Sequence, residues 1–271
     1  VNGADVNLCL KEGTSPFFVA CQNGHKNIVQ LLLIDGADVN LQTKDGRSPI
    51  FAASGNGHDG VAQLLLTNGA DVNFQNNDGW TPLYTACYNG HEGISQILLQ
   101  NGADVNLQTI DGCTPLFIAC QKGHDGTTQL LQKNGADVNL CLKEGTSPLF
   151  VACQNGHKNI VQLLLIDGAD VNLQTKDGRS PIFAASGNGH DGVVQLLLTN
   201  GADVNLQTID GWTPLYTACE HGHVGTVQLL LENEANINLV DKKGFSSLSV
   251  ASYMGHDNIV HLLIENGANV S

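Results

Sequence analysis

The chain has 271 residues, and its 26 Asp and Glu against 12 Lys and Arg give a formal net charge of −14. This excess of negative charge repels phosphate backbones and anionic lipid head groups, so it argues against nucleic acid or membrane as a partner and favours a protein with a basic patch. The apolar runs, such as IVQLLLI at residues 28–34, are shorter than the ~20 residues that a helical membrane span needs.

A 33-residue period runs through the whole chain. All seven prolines follow it: Pro16, Pro49, Pro82, Pro115, Pro148, Pro181 and Pro214. A Gly-His pair follows the same period, with its histidines at His25, His58, His91, His124, His157, His190, His223 and His256. Stacked copies have no single closed core, so the period predicts an elongated array in which each copy contacts only its neighbours.

Each copy contains a short helix, a turn, a second helix and an extended finger, and residues 45–73 illustrate the pattern. Asp45-Gly46 predicts a turn, because glycine accepts a positive φ without steric cost. Ser48 is the predicted N-cap of the first helix. Pro49 is its predicted first residue, where a missing N–H costs nothing.

The first helix of this copy is predicted to be short, over roughly residues 48–55, and the second begins near His58. The second helix carries an apolar Leu-Leu-Leu run. Asn68-Gly69 ends it with the glycine that is common just past a helix C-terminus. The stretch ADVNFQNND then leads, as an extended finger, to the next Asp-Gly turn.

These motifs resemble the ankyrin-repeat family. The resemblance rests on the 33-residue period, the Ser/Thr-Pro-Leu/Ile-Phe/Tyr-x-Ala run, the Gly-His pair, the Leu-rich helix and the Asn-Gly-Ala-Asp-Val-Asn stretch, and it covers the whole chain. It implies an all-α ankyrin-repeat solenoid of helix-turn-helix units joined by extended, β-hairpin-like fingers. It also implies a non-catalytic module, without a cofactor, that binds a protein or peptide along its concave groove.

We expect a single array over residues 1–271. Residues 1–7 are the expected partial leading finger, 8–238 seven full repeats and 239–271 a C-terminal capping repeat, which has serines in place of proline and the aromatic residue. The first repeat is as apolar as an internal one. We therefore expect either the cut edge of a longer array or end-to-end self-stacking through an uncapped N-terminal repeat.

One position departs from the family pattern. Where that pattern, Thr-Pro-Leu-His-x-Ala, has histidine, this chain has Phe18, Phe51, Tyr84, Phe117, Phe150, Phe183, Tyr216 and Ser249. These rings cannot make the hydrogen bonds of an imidazole. We expect apolar packing between helices to replace those bonds.

A longer period is also present. Residues 6–60 and 138–192 are identical except for Phe17 against Leu149, an offset of four repeats. This pattern is typical of a duplicated four-repeat block. It suggests two similar binding sub-sites, although the similarity can equally be inherited from the duplication without being used.

Two motifs could carry chemistry. Cysteine stands four residues before the Gly-His histidine in five repeats, as in Cys21 and His25, which could form a catalytic dyad or half a zinc site. In three repeats serine takes the cysteine position while the histidine persists, so we interpret the cysteine as core packing and the Gly-His pair as a turn. Gly55–Gly60 matches a dinucleotide-binding glycine motif but follows a predicted helix instead of a strand.

The sequence thus predicts neither catalysis nor a bound metal. We read the eight cysteines as free thiols, since neighbouring helices lie too far apart for disulfides, and we expect a cytoplasmic, reducing location.

Binding residues are expected where the repeats differ from one another. In the predicted fold, the finger tips and the outer side of the first helices line the concave face, and aromatic residues and Arg are enriched at binding hot spots. The predicted partner-binding residues are Arg47, Trp80, Tyr88, Arg179, Trp212, Glu220, Phe245 and Tyr253. One alternative is that the two tryptophans only cover the next finger. Others are that the chain is a structural spacer or elastic segment of a larger multi-repeat protein, or an array without a specific partner.

Overall fold

The computed structural model describes residues 5–270, in which the chain forms sixteen α-helices and one isolated antiparallel bridge between Val240 and Ser246. The predicted all-α ankyrin-type solenoid architecture is confirmed, since short helix pairs follow one another and pack in sequence. The chain divides into two compact units, the first ending at Asp137 and the second beginning at Val138. No helix among residues 5–270 has both the length and the apolar character that crossing a membrane requires.

Each unit contains four helix pairs. The first unit comprises α1 Pro16–Gln22, α2 Lys26–Ile34, α3 Pro49–Gly55, α4 Asp59–Thr67, α5 Pro82–Asn89, α6 Glu92–Gln100, α7 Pro115–Lys122 and α8 Asp125–Lys133. The second unit comprises α9 Pro148–Gln154, α10 Lys158–Ile166, α11 Pro181–Gly187, α12 Asp191–Thr199, α13 Pro214–Glu220, α14 Val224–Glu232, α15 Ser247–Met254 and α16 Asp257–Glu265.

Side-chain caps fix where each odd-numbered helix begins. The hydroxyl of Ser48 accepts a hydrogen bond from the backbone N–H of Phe51 at 3.3 Å, and Pro49 is the first helical residue, as predicted. The equivalent caps are Ser15, Thr81, Thr114, Ser147, Ser180, Thr213 and Ser246. A cap of this kind stabilises a helix by about 1 kcal/mol, which matters for helices of only seven or eight residues.

Within each unit the odd-numbered helices pack against one another, and each also packs against its own even-numbered partner. The aromatic rings at the departing position lie inside this packing, with no more than 9% of any of the seven residues exposed. The expectation that these rings pack between helices is therefore confirmed. Ser249, the eighth member of the series, is exposed.

Asparagine side chains connect successive fingers. The Nδ2 of Asn40 donates to the carbonyl oxygen of Gly69 at 3.2 Å, and its Oδ1 accepts from the backbone N–H of Asp71 at 2.9 Å. The same pair of bonds is made by Asn7, Asn73, Asn106, Asn172 and Asn205. Each asparagine therefore satisfies both a donor and an acceptor of the following repeat.

The Gly-His pairs also connect successive repeats. The Nε2 of His58 donates to the carbonyl oxygen of Gln22 in the preceding repeat at 3.0 Å. The imidazole also lies against Gly24, whose φ is +73°, and a Cβ atom at Gly24 would come within 2.5 Å of the ring. Glycine is required there both by its backbone conformation and by the approaching ring.

Candidate functional site

In each unit, the predicted binding residues lie on what we call the finger-helix face of that unit. This face consists of the residue that follows each Asp-Gly turn together with the side chains of the odd-numbered helices beside it. The structure groups the predicted residues into four places, two in each unit.

Arg47 lies at the first place, where it is half-buried. Its Nε is 2.6 Å from the Asp45 carboxylate, and its guanidinium carbon is 5.9 Å from the centroid of the Phe18 ring. Partial burial acts to raise the pKa of Asp45. The hydrogen bond from Thr43 and the charge of Arg47 outweigh burial, so that pKa lies below its usual value. Arg47 is held by its own unit, with its cation over an aromatic ring.

Trp80 and Tyr88 meet at the second place, which we call the Trp80 cluster: Trp80, Tyr84, Tyr88 and Lys122. The Trp80 ring lies 4.9 Å from that of Tyr84 and stacks on that of Tyr88 at 5.8 Å, measured between centroids. The Lys122 ammonium lies 4.3 Å from the centroid of the Tyr88 ring, within the range of a cation–π interaction. Trp80 thus packs on the first helix of its own repeat.

Arg179, at the third place, is more open than Arg47. Its Nε pairs with the Asp177 carboxylate at 2.9 Å. The side chain lines a surface pocket of about 530 Å³ together with Phe150, Gln154 and Lys176. This pocket therefore presents one aromatic ring, two cations and two acids, Glu144 and the Asp177 that pairs with Arg179.

The remaining predicted residues meet at the fourth place, a surface pocket of about 370 Å³ that we call the C-terminal pocket. Its lining residues are Trp212, Tyr216, Glu220, Asp241, Lys243, Phe245, Val250, Tyr253 and Met254. The rings of Trp212 and Tyr216 are nearly parallel, 9° apart, with centroids separated by 6.0 Å. Tyr253 is 84% exposed and Phe245 46% exposed, so two large rings of this pocket face solvent.

The C-terminal pocket contains two acidic residues, Glu220 and Asp241, whose charges affect the pKa of Tyr216. The pKa of Tyr216 is raised, first by burial and then by the negative charges of Asp241 and Glu220. Asp241 is itself buried, and its Oδ1 accepts hydrogen bonds from the backbone N–H groups of Lys243 and Phe245 at 2.9 and 2.8 Å. The carboxylate of Asp241 is therefore held in a fixed position.

The Trp80 cluster and the C-terminal pocket occupy equivalent positions four repeats apart but have different chemistry. Tyr88 corresponds to Glu220 and Lys122 to Met254, so an aromatic ring with its cation is replaced by an acid with a thioether. The interplanar angle between the tryptophan and the buried tyrosine also changes, from 47° to 9°. The two places are related by position and not by the group that they present.

Sequence reasoning missed four residues of these sites: Tyr84, Lys122, Tyr216 and Asp241. The two tyrosines were assigned to the scaffold, although their hydroxyl groups distinguish them from the phenylalanines at the same position in other repeats. Lys122 and Asp241 belong to the repeat that follows the ring they act on. No signal within a single repeat would have found them.

The cysteines have the character of core residues. Burial raises the pKa of Cys21, Cys87 and Cys219 to about 12, so these thiols stay protonated at neutral pH and are poor nucleophiles. All eight cysteines lie within residues 5–270, and none of them forms a disulfide. Across residues 5–270 no three His, Cys, Asp or Glu side chains converge as a metal site would require.

The glycine motif at 55–60 lies between two helices. Gly55 is the last residue of α3, Gly57 has a φ of +78°, and α4 begins two residues later at Asp59. A dinucleotide-binding loop follows a buried strand instead. The motif is part of the helix-turn-helix unit, in agreement with its predicted place after a helix.

Comparison with known families matches the chain to a model described as ankyrin repeats in three copies. The matched segments overlap along the chain and together cover all of it: residues 1–76, 17–109, 52–141, 94–175, 116–208 and 182–271. A comparison with curated proteins gives no match.

Proposed function

The chain belongs to the ankyrin-repeat family, and from that membership we propose that it is a non-catalytic module that binds a protein or peptide partner along a groove on its finger-helix face. The observation that carries the proposal is the pair of aromatic sites, the Trp80 cluster and the C-terminal pocket. Both keep tryptophan only half-buried beside tyrosine. Such rings give a large contact area at a small entropic cost when a partner covers them.

The charge of the chain supports a partner with a basic patch. The formal net charge of −14 favours association with positively charged surfaces and disfavours nucleic acid and anionic membranes. The buried thiols stay protonated at neutral pH and are therefore poor nucleophiles, which supports a non-catalytic role without a cofactor. We further propose a cytoplasmic location, because eight cysteines without a disulfide among residues 5–270 suit a reducing compartment.

The test begins with a cross-linking pull-down from the native cell extract, with the cross-links mapped to residue positions. The affinity of the captured partner is then measured for a variant that combines Trp80→Ala with Trp212→Ala. We expect affinity to fall by about tenfold to a hundredfold, as for hot-spot residues, while the circular dichroism of the helices is unchanged.

A matched control combines Gln63→Ala with Gln195→Ala, which lie on the exposed sides of α4 and α12 and are also four repeats apart. The control should bind as the wild type does. Equal affinity of the tryptophan variant and the control would remove the two tryptophans from the binding site.

As a second candidate we propose a structural role, in which copies of the chain stack end to end through the N-terminal repeat. Val19 is 40% exposed and Ile28 48%, whereas Ala52 and Val61, at the same positions one repeat later, are 6% and 2% exposed. In that later repeat the two helices pack against α1 and α2. A second copy of the chain offers the same kind of helical repeat as a cover.

Sedimentation velocity over a concentration series tests the stacking. We expect a concentration-dependent increase in mass that Ile28→Lys abolishes. Ile166→Lys, at an exposed apolar residue outside the N-terminal repeat, should leave the association intact. A chain that stays monomeric at the highest concentration would exclude this role.

A further inference from the structure

We propose that the C-terminal pocket binds the side chain of a lysine or arginine from a protein partner, held between aromatic rings and two carboxylates. The inference rests on the proposed partner-binding function and adds the chemistry of one contact. Four aromatic rings line the pocket, those of Trp212, Tyr216, Phe245 and Tyr253. Their faces attract a cation, and their apolar surface suits the methylene stem of a long basic side chain.

The carboxylates set the sign of the charge that the pocket prefers. Glu220 and Asp241 both line it, and both act on the hydroxyl of Tyr216. Lys243 also lines the pocket. Its positive charge offsets one of the two carboxylates, so the lining keeps one excess negative charge. His221 is a further neighbour, with its Nδ1 3.9 Å from Glu220 Oε2.

Two other places on the finger-helix face already show cations on aromatic rings. Lys122 covers the ring of Tyr88 at 4.3 Å, and Arg47 lies 5.9 Å from the centroid of Phe18. In the second unit the position of Lys122 is taken by Met254, which carries no charge. Among the described residues, none places a cation over the rings of Tyr216, Phe245 or Tyr253. The C-terminal pocket thus keeps the aromatic surface without the internal cation.

The rim of the pocket also leaves apolar surface exposed for a basic side chain to cover. Phe245, Tyr253 and Met254 are all about half exposed or more, although each is a large apolar side chain. An alkyl stem lying across these three residues would cover them. Its terminal charge would then lie near Glu220, whose side chain is partly exposed.

The experiment follows the two indole N–H signals of the full chain by NMR, because the chain has only two tryptophans, and Trp212→Phe assigns them. The probes are the N-acetyl methylamides of lysine, arginine and norleucine, the last having a similar alkyl stem without the charge. We expect lysine or arginine to shift the Trp212 signal saturably. Norleucine should shift it less, and the Trp80 signal should stay unchanged.

Charge variants then test the electrostatic part. Glu220→Gln should weaken binding of the cationic probe by about threefold to tenfold, and Lys243→Glu should strengthen it by a similar factor. Glu265→Gln, on α16 and outside the lining, is the matched control and should bind as the wild type does. Because Lys243→Glu is expected to gain affinity, its result does not depend on a variant that merely fails to fold.

Three results would overturn the proposal. These are no saturable shift at Trp212, equal binding of norleucine and lysine, or an affinity that neither Glu220→Gln nor Lys243→Glu alters. None of these results determines how the two tryptophan substitutions affect the affinity of the captured partner, which is measured separately. Failure of the pocket and failure of the proposed function are therefore distinguishable.

Discussion

His58 donates a hydrogen bond from Nε2 to the carbonyl oxygen of Gln22, in the preceding repeat, at 3.0 Å. The same bond joins His91 to Gly55, His124 to Tyr88, His190 to Gln154, His223 to Gly187 and His256 to Glu220. Each imidazole therefore satisfies the carbonyl group near the end of an odd-numbered helix in the preceding repeat. Helix ends leave such carbonyls without partners inside the helix.

Replacing this imidazole should cost stability. We expect His58→Ala to lower the free energy of unfolding by about 1 kcal/mol, because the Gln22 carbonyl loses its partner. Chemical denaturation measures the change. The matched control is His25→Ala: His25 belongs to the N-terminal repeat, is exposed, and its ring forms no hydrogen bond within the described residues. A loss of the same size in both variants would show that the inter-repeat bond is not the source.

Ser54 offers a stabilising substitution. Its hydroxyl is fully buried and has no hydrogen-bond partner within residues 5–270, which carries a desolvation cost. The equivalent position in the neighbouring repeats holds Cys21 and Cys87, both fully buried. We expect Ser54→Cys to raise the free energy of unfolding by about 1 kcal/mol, measured by denaturation under reducing conditions.

Ser252 is the control for this substitution, because it holds the same position in the last repeat but is exposed. Ser252→Cys should change stability little. A destabilising effect of Ser54→Cys would contradict the prediction. It would mean that the sulfur atom is too large for a site that holds cysteine in the neighbouring repeats.

The buried thiols predict a loss of stability in alkali. Burial raises the pKa of Cys87 to about 12 from an ordinary value of 9.0, although the hydrogen bond with Ser95 acts in the opposite direction. Above pH 9 the thiol ionises in the unfolded chain and stays protonated in the folded one. Its stabilising contribution is therefore complete below pH 9 and is lost as the pH rises towards 12.

Between pH 8 and pH 10 this thiol alone should lower the free energy of unfolding by about 1.4 kcal/mol. Cys87→Ser removes that titration, so the stability of the variant should fall by that much less over the same interval. Cys9→Ser, at an exposed thiol, provides the comparison. An identical pH dependence for wild type and Cys87→Ser would refute the assignment.

The fold was predictable because each repeat carries its own signals. Ser48 and Pro49 specify where a helix begins, and Gly69, with a φ of +87°, specifies where the next helix ends. All three residues act through local backbone chemistry. The same signals recur at a fixed interval, so the helix prediction made for one repeat could be applied to every other repeat. The helix bounds agree with the prediction to within one residue in the copy at residues 45–73.

The sites were only partly predictable. Sequence variation identified Trp80 and Tyr88 as candidates, but the stacking of their rings depends on side-chain conformations that spacing does not determine. The role of His58 was also missed, since its partner is a backbone carbonyl and any residue could supply it. Lys122 was missed because its flexible side chain reaches back to Tyr88 in the preceding repeat.

The short range of the inter-repeat hydrogen bonds affects how the number of repeats can change during evolution. Asn40 bonds to Gly69 and Asp71 in the following copy, and His58 bonds to Gln22 in the preceding one, so neither side chain reaches past an adjacent copy. Unequal recombination that adds or removes a whole number of copies rejoins every donor with an equivalent acceptor. The near-identical blocks at 6–60 and 138–192 match the pattern that such an exchange would produce, and a change in repeat number of this kind requires no new type of junction.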